Sequence, residues 1–181
     1  MKQVYITLLI LFTVSFAEKS NAQHRELGVR FTSVNNFDLL YKFGQEPDKL
    51  TRIRAINGSY FNNSGDDITN SEGLNIGFAI GREKHASLDE RFDFIHGLDG
   101  SISYLSTSAD SFNNDAFRFS IGYLVGGVCE VTEKISAGAE VIPNVYYTSF
   151  SGGNNNVDQY GVQFGNGAAA LTLTYKFEKL E

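Results

Sequence analysis

The sequence has 181 residues, a formal net charge of −6, 15 Phe, 9 Tyr, 18 Gly, 2 Pro and a single Cys. The acidic balance argues against a general nucleic-acid binder. The lone Cys129 excludes an intramolecular disulfide framework and has no metal-ligating neighbour in the sequence, so no cofactor or metal site is expected.

The first 22 residues read as an export signal rather than as part of the fold. Lys2 is followed by the apolar run Val4–Phe16, and Ser20-Asn21-Ala22 puts small residues at −3 and −1 of a cut before Gln23. This is the grammar of a cleaved signal peptide; an N-terminal membrane anchor is the alternative, but the run is short for a spanning helix. Residues 23–181 then make one domain. Many aromatics and glycines without helix-forming runs predict that it is all-β.

Alternation of apolar and polar residues begins at once, and a strand sends successive side chains to opposite faces. In Glu26–Ser33, Leu27, Val29 and Phe31 oppose Gly28, Arg30 and Thr32. Phe37–Phe43 alternates likewise, so the two segments predict a hairpin, followed by a turn over Gly44–Lys49 with Pro47. The third strand, Leu50–Phe61, has a broken phase: Arg52 and Arg54 share a face, yet Ile56 and Tyr60 fall in register with them. Either a bulge near Ala55-Ile56 switches the faces, or the upper half of the strand leaves the membrane. Asn62–Gly73 reads as a polar loop; its Asp66-Asp67 pair is a solvated feature, or a contact for a divalent cation or lipopolysaccharide.

Leu74–Gly81 is a clean fourth strand, and Arg82–Glu90 reads as a charged turn. Arg91–Leu105 is the fifth strand, with Asp93 and Asp99 opposite Phe92, Phe94, Leu98, Ile102 and Tyr104. A polar loop over Ser106–Asn114 leads to the sixth strand, Asp115–Cys129, in which Phe117, Phe119, Ile121 and Tyr123 oppose Arg118. After a short turn at Glu130–Glu133 comes the seventh strand, Lys134–Ser149, carrying Glu140 on its polar face. Pro143 cannot donate to a ladder, which predicts a bulge there or a position beyond the bilayer rim. Phe150–Gly167, rich in Gly and Asn, reads as the longest connection, and Ala168–Phe177 is the closing strand. Its Leu171, Leu173, Tyr175 and Phe177 oppose Thr172, Thr174 and Lys176 over a length that suits a tilted bilayer crossing.

A strand edge in lipid would leave N–H and C=O groups unpaired, and closing the sheet removes the edge. A soluble lipocalin-like calyx would also close, but with its apolar faces inward. Here the faces opposite the apolar sets carry Arg30, Lys42, Arg52, Arg54, Asp93, Asp99, Arg118, Glu140 and Lys176. Charges of both signs suit a small, salt-bridged interior with the apolar set facing lipid. Eight strands enclose a lumen that side chains just fill, so a plugged barrel is expected rather than a pore. Aromatics near strand ends (Phe43, Phe92, Tyr104, Tyr123, Tyr175, Phe177) suit interface girdles.

The signal peptide, eight alternating strands and a last strand ending in an aromatic resemble the small eight-stranded outer-membrane proteins, the OmpA/OmpX-like group, over the whole mature chain. The resemblance implies an eight-stranded antiparallel up-and-down transmembrane β-barrel in the outer membrane of a Gram-negative bacterium. A structural or surface-interaction role among outer-membrane lipid and lipopolysaccharide follows from it, with the ligand of the outer loops unknown. It also implies that Tyr175 and Phe177 form the assembly signal read by the outer-membrane insertion machinery, although here Glu-Lys-Leu-Glu follows Phe177.

The sequence has three histidines. His24, beside the cleavage site, and His85, in the charged turn, read as solvated; His96 lies on the apolar face of the fifth strand. A Ser–His–acid set near an outer rim would make a lipid-modifying enzyme (acyl transfer or deacylation), but such a set is recognised by geometry and none is fixed by this sequence. No catalytic residue is assigned. The enzyme and the soluble calyx remain as alternatives.

Overall fold

The computed structural model describes residues 23–33, 36–65, 68–109, 112–152, 155–164 and 169–177, with the side chains of 57–65, 68–72, 108–109, 112–113 and 155–156 left aside. The predicted signal peptide, the Asp66-Asp67 pair and the tail after Phe177 lie outside the described residues. The strands are β1 His24–Ser33, β2 Asn36–Glu46, β3 Lys49–Gly65, β4 Ile68–Asp89, β5 Phe92–Ala109, β6 Phe112–Glu130, β7 Ile135–Val141, β8 Asn144–Gly152, β9 Asn155–Gln163 and β10 Ala169–Phe177. Every pairing is antiparallel.

The ladders run β5-β4-β3-β2-β1-β10-β7-β6, and β6 pairs back onto β5, so the sheet closes on itself. β7 and β8 are two halves of one stave, both paired with β6. Likewise β10 pairs with β7 and β9 with β8, which makes β9 and β10 the halves of the eighth stave. The barrel therefore has eight staves drawn from ten strands, and the sequence's count of eight is the count of staves.

The break between β7 and β8 falls at Ile142-Pro143, where a bulge was expected. Pro143 has no N–H to give, but its carbonyl still accepts from the Tyr123 N–H at 3.0 Å. The Asn144 side chain donates to the Ile142 carbonyl at 3.1 Å, replacing part of the lost ladder. The eighth stave is interrupted at the same level. Val141 to Asn144 on one side is matched by Ala169 back to Gln163 on the other.

Four readings of the connections need correction. Phe150–Gly167 is not one long loop, because Asn155–Gln163 forms β9. Asn62–Gly73 and Ser106–Asn114 are mostly strand, as β3, β4, β5 and β6 extend into tall hairpins. Arg82–Glu90 is not a turn: β4 continues to Asp89, and only Glu90-Arg91 turns. The third strand carries the suspected irregularity, a register shift between Ile56 and Ser59. The hairpins at the upper end thus rise unevenly, since β1 and β2 stop at Ser33 and Asn36. The lower end, where β1 begins and β10 finishes, has short turns. At one of them Pro47-Asp48 forms a two-residue turn, and Lys49 Nζ reaches Glu46 at 2.5 Å across it.

Burial is inverted relative to a soluble protein. Leu27, Leu39, Ile76, Ile80, Leu98, Phe119, Ile121, Val145, Leu171 and Leu173 are exposed on the outside, Leu171 at 64%. Arg30, Lys42, Arg52, Glu83 and Glu140 are buried inside, Arg52 at 0%. Aromatic pairs mark both ends of the outer apolar band. Tyr41–Phe43 and Tyr175–Phe177 lie toward the lower end; Phe31–Phe37, Tyr104–Phe117 and Tyr147–Tyr160 lie toward the upper one. The interior is not wholly polar: Ile95, Leu124, Val128 and Ile142 cluster inside on the β5–β6–β7 side.

This inversion makes the outer face sensitive to charge only when it is in lipid. Leu173→Arg is expected to lower folding stability in phospholipid vesicles by about 2–4 kcal/mol, measured by urea titration. The exposed Glu90→Gln change at a lower turn is expected to leave it nearly unchanged.

Candidate functional site

The strands bring their inward charges together in one lattice at the centre of the lumen. Arg52 on β3 is its hub. Its Nη2 and Nη1 donate to the two oxygens of Glu140 at 2.9 and 3.0 Å, and Nη1 also reaches Glu83 at 3.1 Å. From Glu140 the chain of pairs runs to Arg30 (2.5 Å), from Arg30 to Asp38 (3.2 Å), from Asp38 to Arg54 (3.0 Å) and from Arg54 to Asp99 (2.5 Å). Asp99 lies 3.7 Å from Arg52 Nε, which closes the ring. A branch leads from Glu83 to Lys42 at 2.5 Å and on toward Glu26 at 4.0 Å.

Alternation explains this meeting. Arg30 on β1, Asp38 and Lys42 on β2, Arg52 and Arg54 on β3, Glu83 on β4, Asp99 on β5 and Glu140 on β7 all sit at inward positions of paired strands. Cations and carboxylates match one for one around the ring, so no member is left uncompensated. In a low-dielectric interior a single unpaired member would be costly, whereas a matched pair can be exchanged for apolar residues at little loss.

Of the residues singled out in the sequence, Arg30, Arg52, Arg54, Asp99 and Glu140 join the lattice directly. Asp93 joins it only through a histidine: His85 Nδ1 lies 3.1 Å from Asp93 and its Nε2 lies 2.8 Å from Glu83. His85 is therefore an inward residue of β4, not a solvated turn residue. Lys176 stands apart at the lower end, paired with Glu130. Arg118 stands apart on the upper side, where its Nη2 donates to Gln163 at 2.6 Å and its guanidinium lies 3.8 Å from the centre of the Tyr146 ring. Tyr175 and Phe177 are exposed on the outer face at the end of β10, with ring centres 5.3 Å apart.

Glu83 and Asp38 complete the lattice and were not singled out. Asp38 sits opposite Phe37 and Leu39 in a plainly alternating strand, so its inward position was readable. Glu83 was hidden in a run of charges taken as a turn. Its signal is that Arg82 and Lys84 alternate with Glu83 and His85, continuing the phase of Ala79 and Gly81.

Among the described residues, His96 has no serine or carboxylate hydrogen-bond partner. Its Nδ1 lies 3.0 Å from the Tyr123 hydroxyl, and its ring stacks on Phe94 with centres 5.9 Å apart. Asp99 is turned inward to Arg54. Among the described residues no group of three or more His, Cys, Asp or Glu side chains is placed to hold a metal ion.

No family model matches the chain, and no curated protein matches it. Solved structures of similar shape do exist. Neisserial surface protein A (NspA) is 12% identical, with 85% of this chain and 94% of that one covered and a TM-score of 0.45. Ail, the attachment invasion locus protein of Yersinia pestis, is 11% identical over 85% and 94% of the two chains, with a TM-score of 0.42. CarO of Acinetobacter baumannii is 13% identical over 87% and 98%, with a TM-score of 0.36. The chain is a closed eight-stave antiparallel β-barrel. That statement rests on its own ladders, and it is the architecture that the resemblance to the OmpA/OmpX-like group implied.

The lattice predicts non-additive mutations. Arg52→Met and Glu140→Leu are each expected to destabilise the barrel by about 3–5 kcal/mol, because each strands charges of one sign inside. The double variant restores the balance and is expected to lose clearly less than the sum. Unfolding free energies of the four proteins in vesicles measure this coupling.

Proposed function

We propose that the chain is an integral outer-membrane protein of a Gram-negative bacterium, exported through a signal peptide cleaved before Gln23. Its role is structural or lies in contacts made by its outer hairpins. The observation that carries this reading is the inverted burial: an apolar band with aromatic pairs at both ends faces outward, while arginines and carboxylates are buried inside. Water would not support such a surface, and lipid requires it. The lower end, with its short turns, faces the periplasm; the tall hairpins face the outside.

The ion-pair ring spans the middle of the lumen, which supports a plugged barrel over a conducting one. A surface role is supported by charge placement. The described upper parts of β3, β4, β5, β6, β8 and β9 (57–65, 68–73, 106–109, 112–115, 150–152 and 155–163) hold Glu72, Asp115 and Asp158 and neither Lys nor Arg. The partners this reading implies are membrane lipid, lipopolysaccharide and, through Tyr175 and Phe177, the insertion machinery. An enzyme acting on lipid is disfavoured by the surroundings of His96, whose hydrogen-bond partner is a tyrosine.

Membrane fractionation of the expressed full chain, with gels run before and after boiling, tests the reading. Recovery with the outer membrane and faster migration of the unboiled band are expected. Recovery in the soluble periplasmic fraction would overturn it in favour of a secreted calyx.

A further inference from the structure

Two cations stand on the outer face of the barrel without an acidic partner. In β4 the alternation that buries Glu83 turns Arg82 and Lys84 outward, and both are exposed. Their neighbours across the ladders are Thr51 and Leu98 for Arg82, and Lys49 and His96 for Lys84. None of these is a carboxylate, and Lys49 is itself held by Glu46. Among the described residues no acidic group pairs with Arg82 or Lys84. Exposed apolar side chains surround them along the wall, with Ile80 and Leu98 toward the middle and Leu88 and Phe94 toward the lower turn. Charges on a lipid-facing surface are costly unless a counter-charge comes with the lipid.

His96 adds a donor beside Lys84. Its Nδ1 lies 3.0 Å from the Tyr123 hydroxyl. With that hydroxyl donating, the imidazole carries its proton on Nε2, which has no partner among the described residues. A guanidinium, an ammonium and an imidazole N–H on neighbouring positions of β4 and β5 make a set of donors for a phosphate. Next to this set, toward the middle of the wall, a groove of about 890 Å³ opens on the same outer face. Its floor is Gly100, two residues along β5 from Leu98, between Ile80 on β4 and Ile121 on β6. An added Cβ at Gly100 would meet nothing closer than 3.8 Å, so this glycine leaves space rather than relieving a clash. Glycine inside a strand often marks the close approach of something else. The flanking Phe78, Ile102, Phe119 and Val145 make the groove a slot for hydrocarbon.

Unpaired cations beside an apolar slot call for one amphiphile with an acidic head. We propose that Arg82, Lys84 and His96 hold the phosphate of an anionic phospholipid whose acyl chain lies along the Gly100 groove. Charge selects within the class: two cations with no carboxylate beside them offer nothing to the ammonium of a zwitterionic head. Orientation selects the leaflet. The head lies toward the lower end and the chain toward the middle, as in a phospholipid of the lower leaflet. A lipopolysaccharide would place its phosphates at the upper end, where the described strand parts hold neither Lys nor Arg. The site rests on the reading of the chain as a lipid-embedded barrel and adds the lipid class that the barrel selects.

The test uses the full mature barrel folded in uncharged maltoside micelles. It is equilibrated with phosphatidylglycerol or with phosphatidylcholine of the same acyl chains, and the retained lipid is counted by native mass spectrometry. One phosphatidylglycerol per barrel is expected, held about tenfold or more tightly than phosphatidylcholine. Combining Arg82→Gln with Lys84→Gln should abolish the preference. Arg91→Gln, which removes an exposed cation of a lower turn outside the site, should leave it unchanged. Gly100→Leu fills the groove without changing charge and should weaken retention of both lipids. It carries the test if the double variant loses the fast-migrating unboiled band. Equal retention of the two lipids by the folded barrel, a preference that survives the double variant, an equal loss in Arg91→Gln, or undiminished retention in Gly100→Leu would overturn the site alone. A chain that stays soluble without detergent would overturn the membrane reading and the site with it.

Discussion

A backbone N–H or C=O that faces hydrocarbon has to find its partner within the chain, because lipid offers none. An open sheet cannot meet that demand at its two edges. The β5–β6 ladder meets it here, pairing Phe92 with Cys129 at one extreme and Ala109 with Phe112 at the other. Once the ring is closed, the side-chain alternation of each stave has only one inside and one outside. The rest of the structure follows from which set of residues each side receives.

The outer set is apolar, so the inner set inherits nearly all the charge. Six staves contribute to a single lattice in which Arg52 touches Glu83, Glu140 and Asp99. Such a lattice is a weak source of stability in itself, since each ion has lost its water. Its value lies in register. A slip of one residue in any stave would turn an arginine into lipid and a leucine into the ring. The apolar cluster of Ile95, Leu124, Val128 and Ile142 fills the sector in which β6 contributes no charge to the ring. Pairing and packing thus divide the lumen between them, and the unfilled remainder lies above the ring beside Arg118.

The legibility of the sequence tracks the membrane. Where a stave crosses lipid, one face must be apolar and the other not, and the pattern can be read residue by residue: Leu171 to Phe177, or Leu74 to Gly81. Above the lipid the constraint ends while the hydrogen-bonded ladder does not. Asn155–Gln163 pairs with β8 along its whole length, yet its composition is that of a loop. The same holds for the upper parts of β3, β4, β5 and β6. Near the lower end the pattern persists with charges in place of apolar residues, so Glu83 and His85 were hidden beside Arg82 and Lys84. Arg118 could be placed on an inward face from sequence, but not kept apart from the ring. Its separation depends on Tyr146 and Gln163, brought together by the β6–β8–β9 pairing.

The central claim is the sidedness of the staves, and site-directed spin labelling tests it most directly. In a Cys129→Ala background, nitroxides are placed by Leu171→Cys, Thr172→Cys, Leu173→Cys, Thr174→Cys and Tyr175→Cys, with the barrel in phospholipid vesicles. Labels at 171, 173 and 175 are predicted to collide freely with dissolved oxygen and little with a water-soluble nickel chelate, while labels at 172 and 174 are shielded from both. Absence of the two-residue period, or oxygen contact at 172 and 174 instead, would contradict the account.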